Sequence, residues 1–137
     1  MASVKNSKQI ALFGSAALAI GSLLDWATVS SVFGELSVAG TKGDGKLTLA
    51  AGLIALILFI QPTRQKAMVG AIISLLGALI SIYDFANVSS HVADVDSSIA
   101  TADVGIGLYL CAIGSVAASV AGFVLAKAIA EQVPDAA

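Results

Sequence analysis

Two aspartates near the ends of apolar runs are the sharpest chemical features of this chain. Asp25 follows Leu23-Leu24 and precedes Trp26, while Asp84 follows Tyr83 and precedes Phe85. An ionisable side chain within a membrane span is costly and often functional. If both acids face the interior of a helix bundle, they form a carboxylate pair that a small oligomeric channel or transporter would use. If both lie at the membrane–water interface beside their aromatic neighbours, they are hydrated and structural. Lys46 is a potential partner for one of them, and its counterpart at the other acid is Gly105.

The remaining chemistry-bearing residues are sparse. His91 is the one histidine, with no second His or Cys nearby, so a metal site is not expected. Cys111 is the one cysteine and lies in an apolar run, which leaves neither an intramolecular disulfide nor a cysteine cluster. Lys42-Gly43-Asp44-Gly45-Lys46 has the look of an anion or calcium loop. It lacks both the ligand spacing of an EF-hand and the helix-leading glycines of a phosphate loop. Asp44 reads better as the N-cap of a following helix, and Asp103 as the N-cap of another. One histidine and scattered acids make no nucleophile–base arrangement, so neither an enzyme nor a cofactor is expected.

The elements that would position these residues follow from composition. Hydrophobic residues make up 58% of 137 and charged residues 12%, against about 45–50% and 25% in soluble domains. A chain this short and apolar lacks the polar surface to cover a core, so the lipid bilayer is the expected solvent. Net charge is −2, and no basic patch with interleaved aromatics supports nucleic-acid binding.

Four apolar runs predict four transmembrane helices in a single domain over 1–137. They are Ile10 to Leu24, extending through Trp26 to about Val32; Leu47 to Ile60; Ala67 to about Val88; and Val104 to about Ala126. A span needs roughly 20 residues. The second run is short, and snorkelling of Lys46 with Thr63 at the interface would complete it. Lys5, Lys8, Arg64, Lys66 and Lys127 fall on one side and Lys42 and Lys46 on the other. The positive-inside rule places the five, and both termini, in the cytoplasm. Residues 128–137 form a cytoplasmic tail. The outer side carries Asp25, Glu35, Asp44, Asp84, Asp94, Asp96 and Asp103, so seven acids minus two bases give −5. Lys5 and Lys8 before an apolar stretch also fit a signal peptide. That stretch has an internal counterpart that cannot be cleaved, so the helix is expected to be retained.

The counterpart comes from an internal repeat. Asp25-Trp26-Ala27-Thr28-Val29-Ser30-Ser31 matches Asp84-Phe85-Ala86-Asn87-Val88-Ser89-Ser90 at an offset of 59, and the same offset aligns Asp44 with Asp103. Two tandem two-helix units, about 9–61 and about 67–127, would be parallel repeats about an axis along the membrane normal. Short connections favour an up-down-up-down bundle. Small residues recur every four positions: Gly70, Ser74 and Ala78 on the third run, and Gly114, Ala118, Gly122 and Ala126 on the fourth. The first offers Ala17 and Gly21. Such ridges let helix backbones approach, either within the chain or against another subunit.

The outer loops carry their own patterns. Val32 to Val38 alternates like a short strand, and Ala39 to Gly45 is glycine-rich turn sequence. Val88, Val92, Val95 and Ile99 have helical spacing, so the third helix is expected to continue outward as an amphipathic segment.

In its lean Ala/Gly/Val/Leu spans, its Asp25-Trp26 span end and its Gly43-Asp44-Gly45 lead into the second span, the chain resembles small four-span membrane proteins of bacterial, especially actinobacterial, type. Eukaryotic four-span junction proteins share the topology but carry a cysteine pair in the first outer loop, absent here. The resemblance covers most of the chain and assigns no residue roles. It implies an accessory part in an envelope transport system, including lipid importers. The sequence therefore points to a non-catalytic accessory or regulatory subunit of a larger cell-membrane assembly, partnered by other membrane subunits. A small oligomeric channel or transporter using Asp25 and Asp84 is the alternative.

Overall fold

The computed structural model describes residues 2–42, 44–95 and 100–132. Four helices dominate it: α1 (Ala2–Leu23), α2 (Gly45–Ile60), α3 (Arg64–Val95) and α4 (Ile106–Gln132). Three strands, β1 (Asp25–Ser31), β2 (Gly34–Ala39) and β3 (Ala100–Val104), form an antiparallel sheet in the order β2-β1-β3. A short 3₁₀ turn, Gly40–Lys42, joins the sheet to α2.

Each helix packs on its neighbours in sequence, and α1 closes the ring against α4. The facing residues show antiparallel pairs throughout. Gly14 meets Gly114 and Gly21 meets Gly107 between α1 and α4. Ala19 meets Gly52 between α1 and α2, Phe59 meets Gly70 between α2 and α3, and Ala71 meets Gly122 between α3 and α4. The result is an up-down-up-down bundle of four helices.

The interior is built from small residues. Ala11, Ser15, Ser22, Ala55, Ala71, Ser74, Ser81, Ser115 and Ala118 are fully buried. Between α1 and α4 the backbones touch: a methyl group at Gly14 would lie 2.6 Å from the Gly114 carbonyl oxygen, and one at Gly114 2.7 Å from that of Gly14. Phe59 is the largest fully buried side chain. Its ring fills the hollow left by Gly70 and Gly122, where a Cβ would come within 2.8 and 2.9 Å of it. Apart from Phe59 and the buried Leu18, Leu108 and Leu125, most large apolar residues point outward. Phe13 on α1 is 76% exposed, Ile57 on α2 68%, and Ile113 on α4 68%, with Leu79 on α3 among many others.

Two helical segments, Arg64–Val88 and Ile106–Gln132, are long and apolar enough to cross a membrane; α2 is apolar but shorter. The first expected span is corrected in extent. Its helix stops at Leu23, and Asp25–Ser31 becomes strand β1 rather than the end of a span. Its early turns hold Lys5, Asn6, Lys8 and Gln9, so its apolar stretch falls short of a full span. The all-helical class is likewise corrected to helices plus a small sheet. The alternating stretch before the glycine-rich turn does form a strand, β2, and α3 does continue outward, to Val95. Ile99 lies outside the described residues. α4 runs on through Ala128 to Gln132, so helix replaces the start of the expected tail.

The sheet exists because β1 finds partners on both edges. Thr28 pairs with Ser37 of β2 and with Asp103 of β3. The hairpin reverses at Val32-Phe33. Gly34 has φ +126°, a region that side-chain-bearing residues rarely adopt. The Ser31 hydroxyl accepts from the Phe33 N–H at 3.2 Å and steadies that turn. The heptapeptides Asp25–Ser31 and Asp84–Ser90 thus fold differently, one as strand and one within α3, and they do not superpose.

The packing generates a test. Gly114→Leu should drive α1 from α4, and Gly122→Leu should collide with Phe59 and Ala71. Each should lower stability by about 3 kcal/mol, at the upper end for overpacking. Ile113→Ala, on the exposed face, should stay within about 0.5 kcal/mol. Thermal melting in detergent reads the difference.

Candidate functional site

At the sheet end of the bundle, each of the four helices contributes one buried polar side chain. Ser22 comes from the last turn of α1, Thr48 from the first turn of α2, Asp84 from α3 and Cys111 from the second turn of α4. Ser22 Oγ lies 2.7 Å from Thr48 Oγ1 and 3.5 Å from Cys111 Sγ. The Cys111 thiol is 3.4 Å from the Leu18 carbonyl oxygen, and the Thr48 hydroxyl is 3.1 Å from that of Gly45. The Cys111 thiol and the Ser22 hydroxyl both donate to the Leu18 carbonyl, and the Thr48 proton is shared between the Gly45 carbonyl and Ser22 Oγ. The Ser22–Leu18 bond is 2.7 Å long, and the two lone pairs of the Leu18 oxygen serve its two donors.

Trp26 lids this network. It is buried against Leu18, Leu108 and Cys111, with Phe85 and Val88 packed beside it. Its indole N–H donates to the Gly21 carbonyl at 3.0 Å. The Trp26 carbonyl accepts from the Gly105 N–H at 2.7 Å, which ties β1 to the start of α4. Trp26 is a packed element of the bundle end, 6% exposed. Phe85 makes an edge-to-face contact with Tyr109, ring centroids 5.2 Å apart.

The two singled-out acids separate. Asp25 opens β1 and is exposed. Asp84 is only 7% exposed, and its Oδ2 has no hydrogen-bond partner. They share no carboxylate pair. The carboxyl that reaches Asp84 is that of Asp44, and Lys46 stays exposed in solvent. Asp44 does occupy the N-cap position of α2, but its side chain makes no capping bond. Asp103 is no cap at all: it lies exposed in β3, and Gly105 precedes α4. Gly43 lies outside the described residues. Gly45 packs on Gly40, which makes the glycine-rich segment a tight entry to α2. His91 belongs to α3 by its backbone.

The small-residue ridges all turn inward. Gly114 and Ala118 face α1, and Gly122 faces α3 and Phe59. Gly70, Ser74 and Ala78 are buried as well. As candidates for docking another subunit these six are therefore occupied within the chain. The polar network was missed in the sequence. Its trace is serine at seven-residue spacing, Ser15 and Ser22 on α1 and Ser74 and Ser81 on α3, inside otherwise apolar helices. Ser15, Ser22 and Ser81 bond to carbonyls one turn back, at 2.7–2.8 Å. Ser74 Oγ has no partner.

Removing one member of the network should be costly because it strands the others. Thr48→Val should destabilise by about 1–3 kcal/mol. The double variant Ser22→Ala/Thr48→Val should cost less than the sum of its parts, since the two hydroxyls share one bond. Denaturation of the four chains in one detergent measures the coupling.

Comparison with protein families, with curated proteins and with solved structures finds no match, so the functional reading rests on this chain's own geometry.

Proposed function

We propose that this chain is a four-span membrane protein with both termini in the cytoplasm, serving as a non-catalytic accessory subunit of a larger cell-membrane assembly such as an envelope or lipid transport system. One observation carries the membrane part. On all four helices most of the buried residues are small and most of the large aliphatic or aromatic residues lie outside, with Leu18, Phe59, Leu108 and Leu125 the fully buried exceptions. Water penalises that distribution, whereas lipid tails solvate it and leave close packing to hold the helices together.

Charge supports the orientation. Lys5, Arg64, Lys66 and Lys127 are exposed at the end opposite the sheet. Asp25, Glu35, Asp44 and Asp103 are exposed at the sheet end. The tandem-repeat reading is supported within the helices alone. Ser15 and Ser74 (74 − 15 = 59), and Ser22 and Ser81 (81 − 22 = 59), are all fully buried at the repeat offset.

The accessory role draws its support from the hairpin, not from the ridges. Phe33 at its tip is 94% exposed, and Val32 and Leu36 beside it are exposed too. With the sheet outside the lipid, these residues face water unless another membrane subunit covers them. The transporter alternative has less support, because Asp25 and Asp84 lie in different elements and different environments.

Topology and partnership are testable together. Glu35→Cys should react with an impermeant maleimide in intact cells, and Thr63→Cys only after permeabilisation; the reverse pattern would overturn the orientation. Phe33→Ser should insert and accumulate normally yet lose co-purifying subunits in mild detergent. Retention of every partner by that variant would remove the hairpin from the account.

A further inference from the structure

We propose that Asp84 and Asp44 together bind a single small cation, a proton or a metal ion, taken from the water at the sheet end of the bundle. Asp84 is more than nine-tenths buried, and its Oδ2 has no partner. Asp44 is the neighbouring acid whose carboxyl acts on that of Asp84. The Asp44 carboxylate is free for this role because it makes no capping bond to α2. Asp44 is also exposed, so it gives the site its aqueous entrance.

Electrostatics supplies the need for an occupant. A buried carboxylate without a partner is costly, and a second one beside it adds repulsion. Among the described residues, the groups facing the pair offer no compensating charge. From α4 come the Cys111 thiol and Tyr109, whose ring packs on Phe85. From α1 and α2 come Ser22 and Thr48, whose hydroxyls are engaged with each other and with backbone carbonyls. Lys46, Asp25 and Asp103 are exposed in solvent at the same end. A cation between the two acids relieves both the burial and the repulsion. As a proton it makes an O–H···O bond, which two carboxyl groups form only when one of them is protonated. As a metal ion it is coordinated by the carboxylate oxygens, with water completing the shell.

Trp26 is the one tryptophan of the chain and packs beside Phe85, next to Asp84, so its emission reports the site. The full chain is titrated in lipid nanodiscs, first with acid, then at fixed neutral pH with sodium or calcium chloride against choline chloride at equal ionic strength. The expected result is a one-site transition. A proton occupant gives a change over about two pH units, and a metal occupant gives saturation with that metal alone. Asp84→Asn should abolish the transition, Asp44→Asn should abolish a metal response and displace an acid transition to lower pH by removing the repulsion, and Asp25→Asn should leave it unchanged. Asparagine remains a competent N-cap, so Asp44→Asn carries the test even if Asp84→Asn fails to fold. The proposal is overturned if the wild type responds to neither acid nor salt, if the Asp44→Asn chain responds as the wild type does, or if Asp25→Asn alone removes the response.

Discussion

The contact of α1 with α4 is the constraint from which the rest of this molecule follows. These helices begin and end the fold, and they meet backbone to backbone at Gly14–Gly114 and Gly21–Gly107. The two contacts lie seven residues apart on each helix, so the antiparallel register is fixed twice. At this separation nothing larger than hydrogen fits at the crossing. The interior is correspondingly lined mainly with alanine, serine and glycine, and volume is supplied by Leu18, Leu108, Leu125 and the Phe59 ring, which is seated between Gly70 and Gly122. Few large side chains find room inside, Phe59, Leu18, Leu108 and Leu125 among them, and most are displaced to the periphery. The outward apolar belt is thus a geometric consequence of the small interior, and it sets the solvent in which the bundle is stable.

The same seam organises the sheet end. Gly21 faces the carbonyl of Gly107, and its own carbonyl accepts from the Trp26 indole N–H. Trp26 then covers the Ser22–Thr48–Cys111 network and holds β1 against the start of α4. In lipid, serine and threonine hydroxyls at helix contacts are held by mutual and backbone hydrogen bonds. The network therefore joins α1, α2 and α4 by specific polar contacts at one end. At the other end, joining is left to the packing of Ala11, Ala55, Phe59, Ala118 and Leu125. Asp84 brings α3 into the polar end without a neutral partner of its own.

Much of the helical framework was legible in the sequence. Apolar runs between Lys, Pro and Gly punctuation located the starts of α2, α3 and α4 to within three residues, while α3 and α4 run on six or seven residues past the apolar ends, and alternation located β2. The small-residue ridges were visible, while their partners were not, because a ridge has the same spacing whether it meets its own chain or another. Strand β1 was hidden for a different reason. Asp25-Trp26-Ala27-Thr28-Val29 continues an apolar run, and its near-copy at Asp84 is helical. What separates the two copies is pairing: β2 and β3 flank the first, and strand preference depends on such neighbours more than on the residues themselves. Asp44 was legible as the residue before a helix. Its carboxylate's turn toward Asp84 depends on how α2 and α3 pack, which no local pattern encodes.

The central claim is that lipid contacts all four helices and never reaches the small-residue interior. Photolabelling of the reconstituted protein with a lipid carrying a reactive group along its acyl chain tests this directly, with labelled residues mapped by mass spectrometry. The account predicts adducts on Phe13, Ile57, Leu79 and Ile113, one from each helix, and none on Ser15, Thr48, Ser81 or Cys111. Adducts confined to α3 and α4, with α1 and α2 unlabelled, would contradict it.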